Sequence, residues 1–218
     1  MIKGIIFDFD GVILESVGVK TEAFRRLFAD YPDKIEEIIT YHMDQGGISR
    51  YRKFEYIYAH ILKEDLTPER SNELGALFSE YAYQQVVRAP FVSGAEDFLK
   101  KYYQQLNLFV ATGTPQEEID SVITERKLTK YFRNVYGSPM TKDVIVRSVL
   151  NESGLTPKEV IFVGDAITDF NGAKKAGVPF VGRIHPDYEN PFKELSVAGL
   201  IKNLYELETL LLKEYITK

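Results

Sequence analysis

Gly4-Ile-Ile-Phe-Asp-Phe-Asp-Gly-Val-Ile-Leu-Glu-Ser16 is the stretch from which the fold is read. Its apolar run is short and ends abruptly in charge, the pattern of a buried strand that delivers Asp8 and Asp10 to its carboxyl end. Side chains alternate along a strand, so the spacing predicts Asp8 and Asp10 on one face and Phe7 and Phe9 on the other. Two carboxylates held together repel. The repulsion is relieved by a divalent cation with oxygen ligands, or by keeping one carboxyl protonated as an acid. Gly11 lets the backbone leave the strand sharply, and Ser16 is placed to cap a helix starting near Val17.

Outward from this strand the texture changes. From Val17 to about Val86 the apolar residues take helical spacing, in stripes built on Ala23, Phe24, Leu27 and Phe28, on Ile35, Ile38 and Ile39, on Phe54, Ile57, Tyr58, Ile61 and Leu62, and on Leu74, Leu77, Phe78 and Tyr81. Thr67-Pro68 signals the start of the last of these helices. The break Asp44-Gln-Gly-Gly-Ile-Ser-Arg50 is a turn whose paired glycines suit close backbone approach. After Arg88-Ala-Pro-Phe-Val92, Ser93 to Glu96 has capping-box spacing, and short strands resume at Leu106 to Ala111, near Val135, at Val160 to Val163 and at Val178 to Val181. Helices fall between them, from Thr141 to Glu152 and from Thr168 to Ala176, where Gly177 stops the chain turning. Thr114-Pro-Gln-Glu117 repeats the capping-box spacing, so Thr114 reads as a helix cap. A last amphipathic helix starts near Asn203. Strands alternating with helices predict an α/β fold: a doubly wound parallel-sheet (Rossmann-like) core over residues 1–16 and 87–218, carrying an inserted all-helical domain over residues 17–86.

The balance of 27 basic against 32 acidic residues, a net charge of -5, offers no footprint for nucleic acid. The absence of cysteine excludes disulfides, a thiolate nucleophile and cysteine metal sites. No stretch reaches the ~20 apolar residues that span a bilayer, and no signal-peptide pattern opens the chain, so a cytoplasmic protein without membrane partners is expected. His42, His60 and His185 are scattered without ligand-like spacing and read as surface or helix-packing residues.

In open α/β sheets, ligands bind outside the carboxyl ends of the strands at a topological switch point. That rule selects Asp8, Asp10, Thr112 with Gly113, and Asp165 with Asp169. Lys142 joins them because a lysine in the first turn of a helix opposes the helix dipole and calls for another role. Carboxylates, a lysine, a hydroxyl and exposed turn amides form an inventory for holding a phosphoryl group beside magnesium. Asp8 can attack phosphorus to give an aspartyl-phosphate if a cation and Lys142 screen the two anions. Asp10 would protonate the leaving oxygen and then take a proton from water, while Thr112 and the Gly113 amide hold phosphoryl oxygens. Taken singly, each residue has a plainer reading: turn residues for Asp8 and Asp10, a helix-terminal charge for Asp169, and solvated surface for Lys142, Arg50 and Lys20.

Together, Asp8-Phe-Asp10-Gly-Val-Ile, Ala-Thr112-Gly-Thr, Lys142 and Gly-Asp165-Ala-Ile-Thr-Asp169 resemble the four motifs of the haloacid dehalogenase superfamily, phosphatase type with a helical cap. The resemblance covers essentially the whole chain, with residues 17–86 where such proteins insert their cap. It implies Asp8 as nucleophile and magnesium ligand, Asp10 as acid and base that lends its main-chain oxygen to the metal, Asp165 as the remaining protein ligand, and Asp169 supporting the metal from behind. Glu15 stands where aspartate is more usual, and Asp143 follows the lysine where proline is common. Gly47-Ile-Ser-Arg50 is similar to the substrate loop of β-phosphoglucomutases, and Lys20 takes the position of their functional histidine. Arg50 and Lys20 are therefore expected to bind substrate, a small phosphorylated metabolite. The resemblance implies a magnesium-dependent phosphatase; the alternatives are a phosphomutase of the β-phosphoglucomutase type and a non-catalytic phosphate-binding module.

Overall fold

The computed structural model describes residues 1–213. A six-stranded sheet runs through it in the order β3-β2-β1-β4-β5-β6: β1 Gly4–Phe7, β2 Asn107–Pro115, β3 Asn134–Ser138, β4 Val160–Gly164, β5 Phe180–Arg183 and β6 Gly199–Ile201. Every pairing is parallel. β1 lies between β2 and β4, so the chain order reverses there and the switch point falls at the carboxyl end of β1. β1 and β4 are buried throughout, as their unbroken apolar runs require of strands covered on both faces.

Between β1 and the rest of the sheet come α1 Val17–Leu27, α2 Ile35–Asp44, α3 Arg50–Tyr56, which runs on as a π-helical stretch Ile57–Leu62, and α4 Pro68–Arg88. Their apolar stripes converge on Phe24, whose ring centroid lies 5.7 Å from that of Phe54 and 5.2 Å from that of Phe78. Thr67 starts α4 as expected, its hydroxyl accepting the Arg70 N–H at 3.2 Å. The remaining helices are α5 Ala95–Tyr102, α6 Gln116–Glu125, α7 Lys142–Ser153, α8 Ile167–Lys175 and α9 Leu204–Leu211. Alternation along the strands sorts them into two layers. Ile5, Phe7, Leu108 and Val110 pack with Phe98 of α5, Ile119 of α6 and Leu207 of α9. Ile6, Phe109 and Phe162 pack with Ile145 of α7 and Phe170 of α8. The sheet is therefore doubly wound, as its sequence predicts.

Several local expectations are corrected. β1 ends at Phe7, so alternation does not carry through Asp8 to Asp10; a turn from Phe9 to Leu14, closed by Ile13 and Leu14 N–H groups on the Phe9 carbonyl, intervenes. β2 continues past Ala111 to Pro115 after a register shift, which leaves Thr114 in the strand and Pro115 at the start of α6. Neither Ser16 nor Ser93 caps a helix: Ser16 occupies the N-cap position of α1 without a capping bond, and Gly94 takes that position in α5. Thr156 and Glu159 do form reciprocal capping bonds, around a short 3-10 turn. β6, only three residues long, has no counterpart in the sequence reading.

The turn joining α2 to α3 sits on the carboxyl ends of the strands. Thr168 at the start of α8 donates to the Gly46 carbonyl at 2.5 Å, and a Cβ on Gly113 would come within 2.5 Å of the Gly47 carbonyl oxygen. Only glycine at 113 permits that approach. Among the described residues no helix is long and apolar enough to cross a membrane.

Candidate active site

A cavity of about 830 Å³ opens where α1, α2 and α3 face the carboxyl ends of β1, β2 and β4. Asp8, Asp10, Thr112, Gly113 and Asp165 line it from the sheet, and Lys20, His42, Arg50 and Lys53 from the helices.

Asp8 is buried, with Oδ1 accepting the Phe9 N–H at 2.7 Å and lying 2.9 Å from Lys142 Nζ. Lys142, the first residue of α7, reaches back into the site, pairs also with Asp169 Oδ1 at 2.8 Å, and donates to the Ala111 carbonyl at 2.6 Å. Those two carboxylates outweigh both burial and the helix dipole, so the Lys142 ammonium is held above its usual range. Asp169 binds its own helix end as well, Oδ2 accepting the Ala166 N–H at 3.1 Å. Asp165 completes the group: one carboxylate oxygen from each of Asp8, Asp165 and Asp169 lies within 4.8 Å of the others. A Cβ on Gly11, whose φ is +76°, would overlap the Asp165 carboxylate, which is why the β1 turn carries glycine.

Three carboxylates around one ammonium leave excess negative charge in a buried place. Burial, with the neighbouring Asp169 and Asp10, pushes Asp8 up to about 7 against the opposing Lys142. Burial, then Asp8 and Asp169, pushes Asp165 well above the carboxylate range. A hard divalent cation with oxygen ligands is what this donor set fits; it contains no nitrogen or sulfur ligand.

Asp10 lies apart from that cluster. Its Oδ1 accepts the Ser16 hydroxyl at 2.6 Å, and its Oδ2 pairs with Lys20 and accepts the Thr114 hydroxyl at 3.1 Å. Burial acts to raise Asp10, but Lys20, Ser16 and Thr114 outweigh it and hold the carboxyl below its ordinary range. The side chain is thus no member of the metal-competent group, which leaves it free for the acid and base role expected of it and leaves the metal its main-chain oxygen. Thr112 Oγ1 lies 3.4 Å from Asp10 Oδ2 and accepts the Thr114 N–H at 3.1 Å. Thr114, read as a helix cap, and Ser16, read likewise, both serve Asp10 instead. The period-two pair Thr112 and Thr114 was the available signal, because residues two apart on a strand share a face.

The two expected substrate cations are already engaged. Lys20 pairs with Asp10 and donates to Thr114 Oγ1 at 2.7 Å. Arg50, buried at the start of α3, meets Glu118 Oε1 of α6 at 2.5 Å and Ser79 Oγ of α4 at 2.7 Å, its guanidinium 4.2 Å from the Phe78 ring centroid. The departures from the family pattern also have structural partners. Glu15 binds Arg183, whose Nη1 donates to the Gly11 carbonyl at 3.0 Å and so steadies the β1 turn. Asp143 accepts the Thr141 hydroxyl at 2.8 Å in the first turn of α7.

The chain is 25% identical over 213 residues to phosphoglycolate phosphatase 1 of Pseudomonas aeruginosa, covering 93% of this chain and 77% of that one. It is 26% identical over 209 residues to a phosphorylated carbohydrates phosphatase of Thermotoga maritima, covering 91% and 92%. Its fold matches that of a predicted phosphatase from Clostridium acetobutylicum with a TM-score of 0.76 at 19% identity, covering 98% of this chain and all (100%) of that one. It also matches CbbY from Rhodobacter sphaeroides, solved in complex with phosphate, with a TM-score of 0.73 at 19% identity over 95% and 96% of the two chains. Residues 5–183 fit the family described as haloacid dehalogenase-like hydrolase, and with that match the chain belongs to the haloacid dehalogenase-like hydrolases.

Proposed function

We propose that this hydrolase is a magnesium-dependent phosphatase that cleaves a small phosphomonoester through an aspartyl-phosphate on Asp8. The observation that carries the reading is the placement of Asp8, which lines the cavity with Lys142 Nζ 2.9 Å from its Oδ1 and Asp165 and Asp169 close by. Asp8 and Asp165, supported by Asp169 and with the Asp10 main-chain oxygen, would hold the magnesium, which supplies positive charge against the phosphoryl oxygens. An Asp8 oxygen bonds to phosphorus as the ester P–O bond breaks, and Asp10 gives its proton to the leaving alkoxide. Lys20 holds Asp10 as a carboxylate in this state; the negative phosphate arriving beside it raises its proton affinity, so Asp10 takes up from solvent the proton that it gives to the alkoxide. Asp10 then takes a proton from water as that water attacks phosphorus, releasing phosphate and restoring Asp8. Thr112 and the Gly113 amide steady the phosphoryl oxygens, and Lys142 screens Asp8 throughout. Residues 17–86 act as the cap, closing the cavity and limiting water.

Hydrolysis is favoured over phosphoryl transfer to a second sugar because Arg50 is already neutralised by Glu118 and Lys20 by Asp10, leaving neither free to clamp a distal phosphate. Relatives that carry the names phosphoglycolate phosphatase and phosphorylated carbohydrates phosphatase support small phosphorylated acids and sugars as the substrate class. The test is phosphate release with magnesium from a panel of 2-phosphoglycolate, sugar phosphates and nucleotides, together with glucose 1-phosphate primed by a trace of its 1,6-bisphosphate. Release from at least one small ester is expected. Isomerisation without release, or inertness across the whole panel, would overturn the reading.

A further inference from the structure

α3 buries two cations one turn apart, and their surroundings differ. Arg50 has a carboxylate and a hydroxyl. Lys53 is equally buried at 4% exposure, yet its Nζ only donates to the His42 carbonyl at 2.8 Å and lies 3.1 Å from His42 Nδ1, with the Phe24 ring centroid 5.6 Å away. Among the described residues no carboxylate forms an ion pair with it, whereas Lys20, Arg50 and Lys142 all have one. A buried ammonium without an anion is costly, and here it lines the cavity that holds Asp8. The charged and titratable groups acting on it are His42 of α2, Lys20 of α1, and Asp10 and Asp165 from the sheet. Burial and Lys20 hold the Lys53 amine down at about 7, while Asp10 and Asp165 pull it upward. Burial, then Lys53 and Lys20, keep the His42 imidazole neutral. With Lys53 charged, His42 Nδ1 accepts from it, and the ring proton resides on Nε2, so the neutral imidazole holds the ammonium in place.

We infer that Lys53, positioned by His42, is the specificity-determining residue of the site and receives a carboxylate carried by the phosphomonoester substrate. The Lys53 ammonium spends two of its three N–H groups on His42; the third can donate to a carboxylate oxygen in a charge-assisted hydrogen bond, and the carboxylate supplies the anion that Lys53 lacks. The inference rests on the reading of the Asp8 cavity as a phosphomonoester site. It competes with a plain structural role, in which Lys53 merely ties α3 to the last turn of α2 through the His42 carbonyl. That role is indifferent to the substrate's charge.

The test compares esters of similar size with and without the carboxylate: 2-phosphoglycolate against 2-hydroxyethyl phosphate, and 3-phosphoglycerate against glycerol 3-phosphate. The wild type should prefer the carboxylate ester of at least one pair. In Lys53→Met that ratio of kcat/KM should fall roughly 10- to 100-fold, mainly through KM, as expected for a lost charged hydrogen bond. Lys53→Gln keeps a donor for the His42 carbonyl without the charge; it should lose the same preference, and it carries the test should the methionine variant fail to fold. In the wild type the ratio should decline as pH rises through 7, and the decline should vanish in both variants; contributions from the phosphoester and the reacting groups cancel in the ratio. No carboxylate preference, or an equal loss on both members of a pair, would overturn the inference. Should no ester turn over, calorimetry with 2-phosphoglycolate and 3-phosphoglycerate separates the two claims: binding weakened by Lys53→Gln refutes hydrolysis alone, and binding indifferent to it, or absent, refutes the recognition site.

Discussion

Replacing Lys142 with methionine keeps the length and packing of the side chain and removes one positive charge from among three carboxylates. The side chain is 6% exposed, with Nζ 2.9 Å from Asp8, 2.8 Å from Asp169 and 2.6 Å from the Ala111 carbonyl. Breaking a buried pair by deleting one partner costs ~3–5 kcal/mol, because the other partner remains buried and uncompensated. In a chain of this size each kcal/mol lowers Tm by roughly 2–4 °C, so melting in chelator should fall by on the order of 10 °C. Magnesium offers the same carboxylates another source of positive charge and stabilises by RT ln(1 + c/Kd) at free magnesium concentration c. The deficit of Lys142→Met should therefore shrink markedly at saturating magnesium. Turnover should not recover: the ammonium contacts the carboxylate proposed to attack, and losing one such contact costs ~10²–10³ in kcat. The assay is melting followed by circular dichroism, in chelator and in magnesium, alongside phosphate release. A variant that melts within about 1 °C of the wild type in chelator, against the ~3–5 kcal/mol expected, would refute the charge balance described for this site.

Asp8→Asn should be folded and inactive, and turnover by protein free of wild-type enzyme would remove the covalent step. Because burial raises Asp8 from 3.8 to about 7, its stabilising contribution is complete below the unfolded value and lost as pH rises through 7, so Asp8→Asn should out-melt the wild type in chelator by more at pH ~8 than at pH ~5. Chelation should abolish phosphate release and magnesium restore it, while calcium, with its looser and higher coordination, should not; full activity in excess chelator would contradict the metal assignment. A double-mutant cycle of Arg50→Ala with Glu118→Gln should show a coupling of ~1–3 kcal/mol in stability, and additive effects would mean that their pair is not a buried tie. Lys20→Ala should lower kcat more than it raises KM, since Lys20 positions Asp10 and stabilises the carboxylate left when it gives up its proton; a change confined to KM would return Lys20 to substrate binding.

That last expectation reverses the one drawn from sequence, where Lys20 and Arg50 stood as substrate ligands, and the reason is physical. Strands and helices announce themselves locally: β1 and β4 as unbroken apolar runs, α1 to α4 as stripes at helical spacing. Asp8, Thr112, Asp165 and Asp169 were legible because the switch-point rule needs only strand ends, and Lys142 because it opposes its helix dipole; the structure brings all five to one place. Thr114 was not, since Thr-Pro-Gln-Glu has the spacing of a capping box; what decides against it is Lys20, 94 positions away in the chain. β6 is too short to show a pattern, and its Leu200 is exposed, so it exists through pairing with β5 rather than through its own sequence.

Five cations line or enclose the cavity, Lys20, Arg50, Lys53, Lys142 and Arg183, and their sequence contexts do not rank them. Partners do. Lys142 answers to Asp8 and Asp169, Lys20 to Asp10, Arg183 to Glu15, and Arg50 to Glu118, which is 68 positions distant in the chain. A cation paired in this way tunes the group it pairs with, and a substrate anion would have to displace a carboxylate to reach it. Lys53, by contrast, carries its charge only with the help of a neutral imidazole and a carbonyl, so an arriving anion gains its attraction without breaking an ion pair. Labour divides accordingly: Lys142 and Lys20, answered by carboxylates, set the chemistry at Asp8 and Asp10, and the unanswered Lys53 reads the substrate.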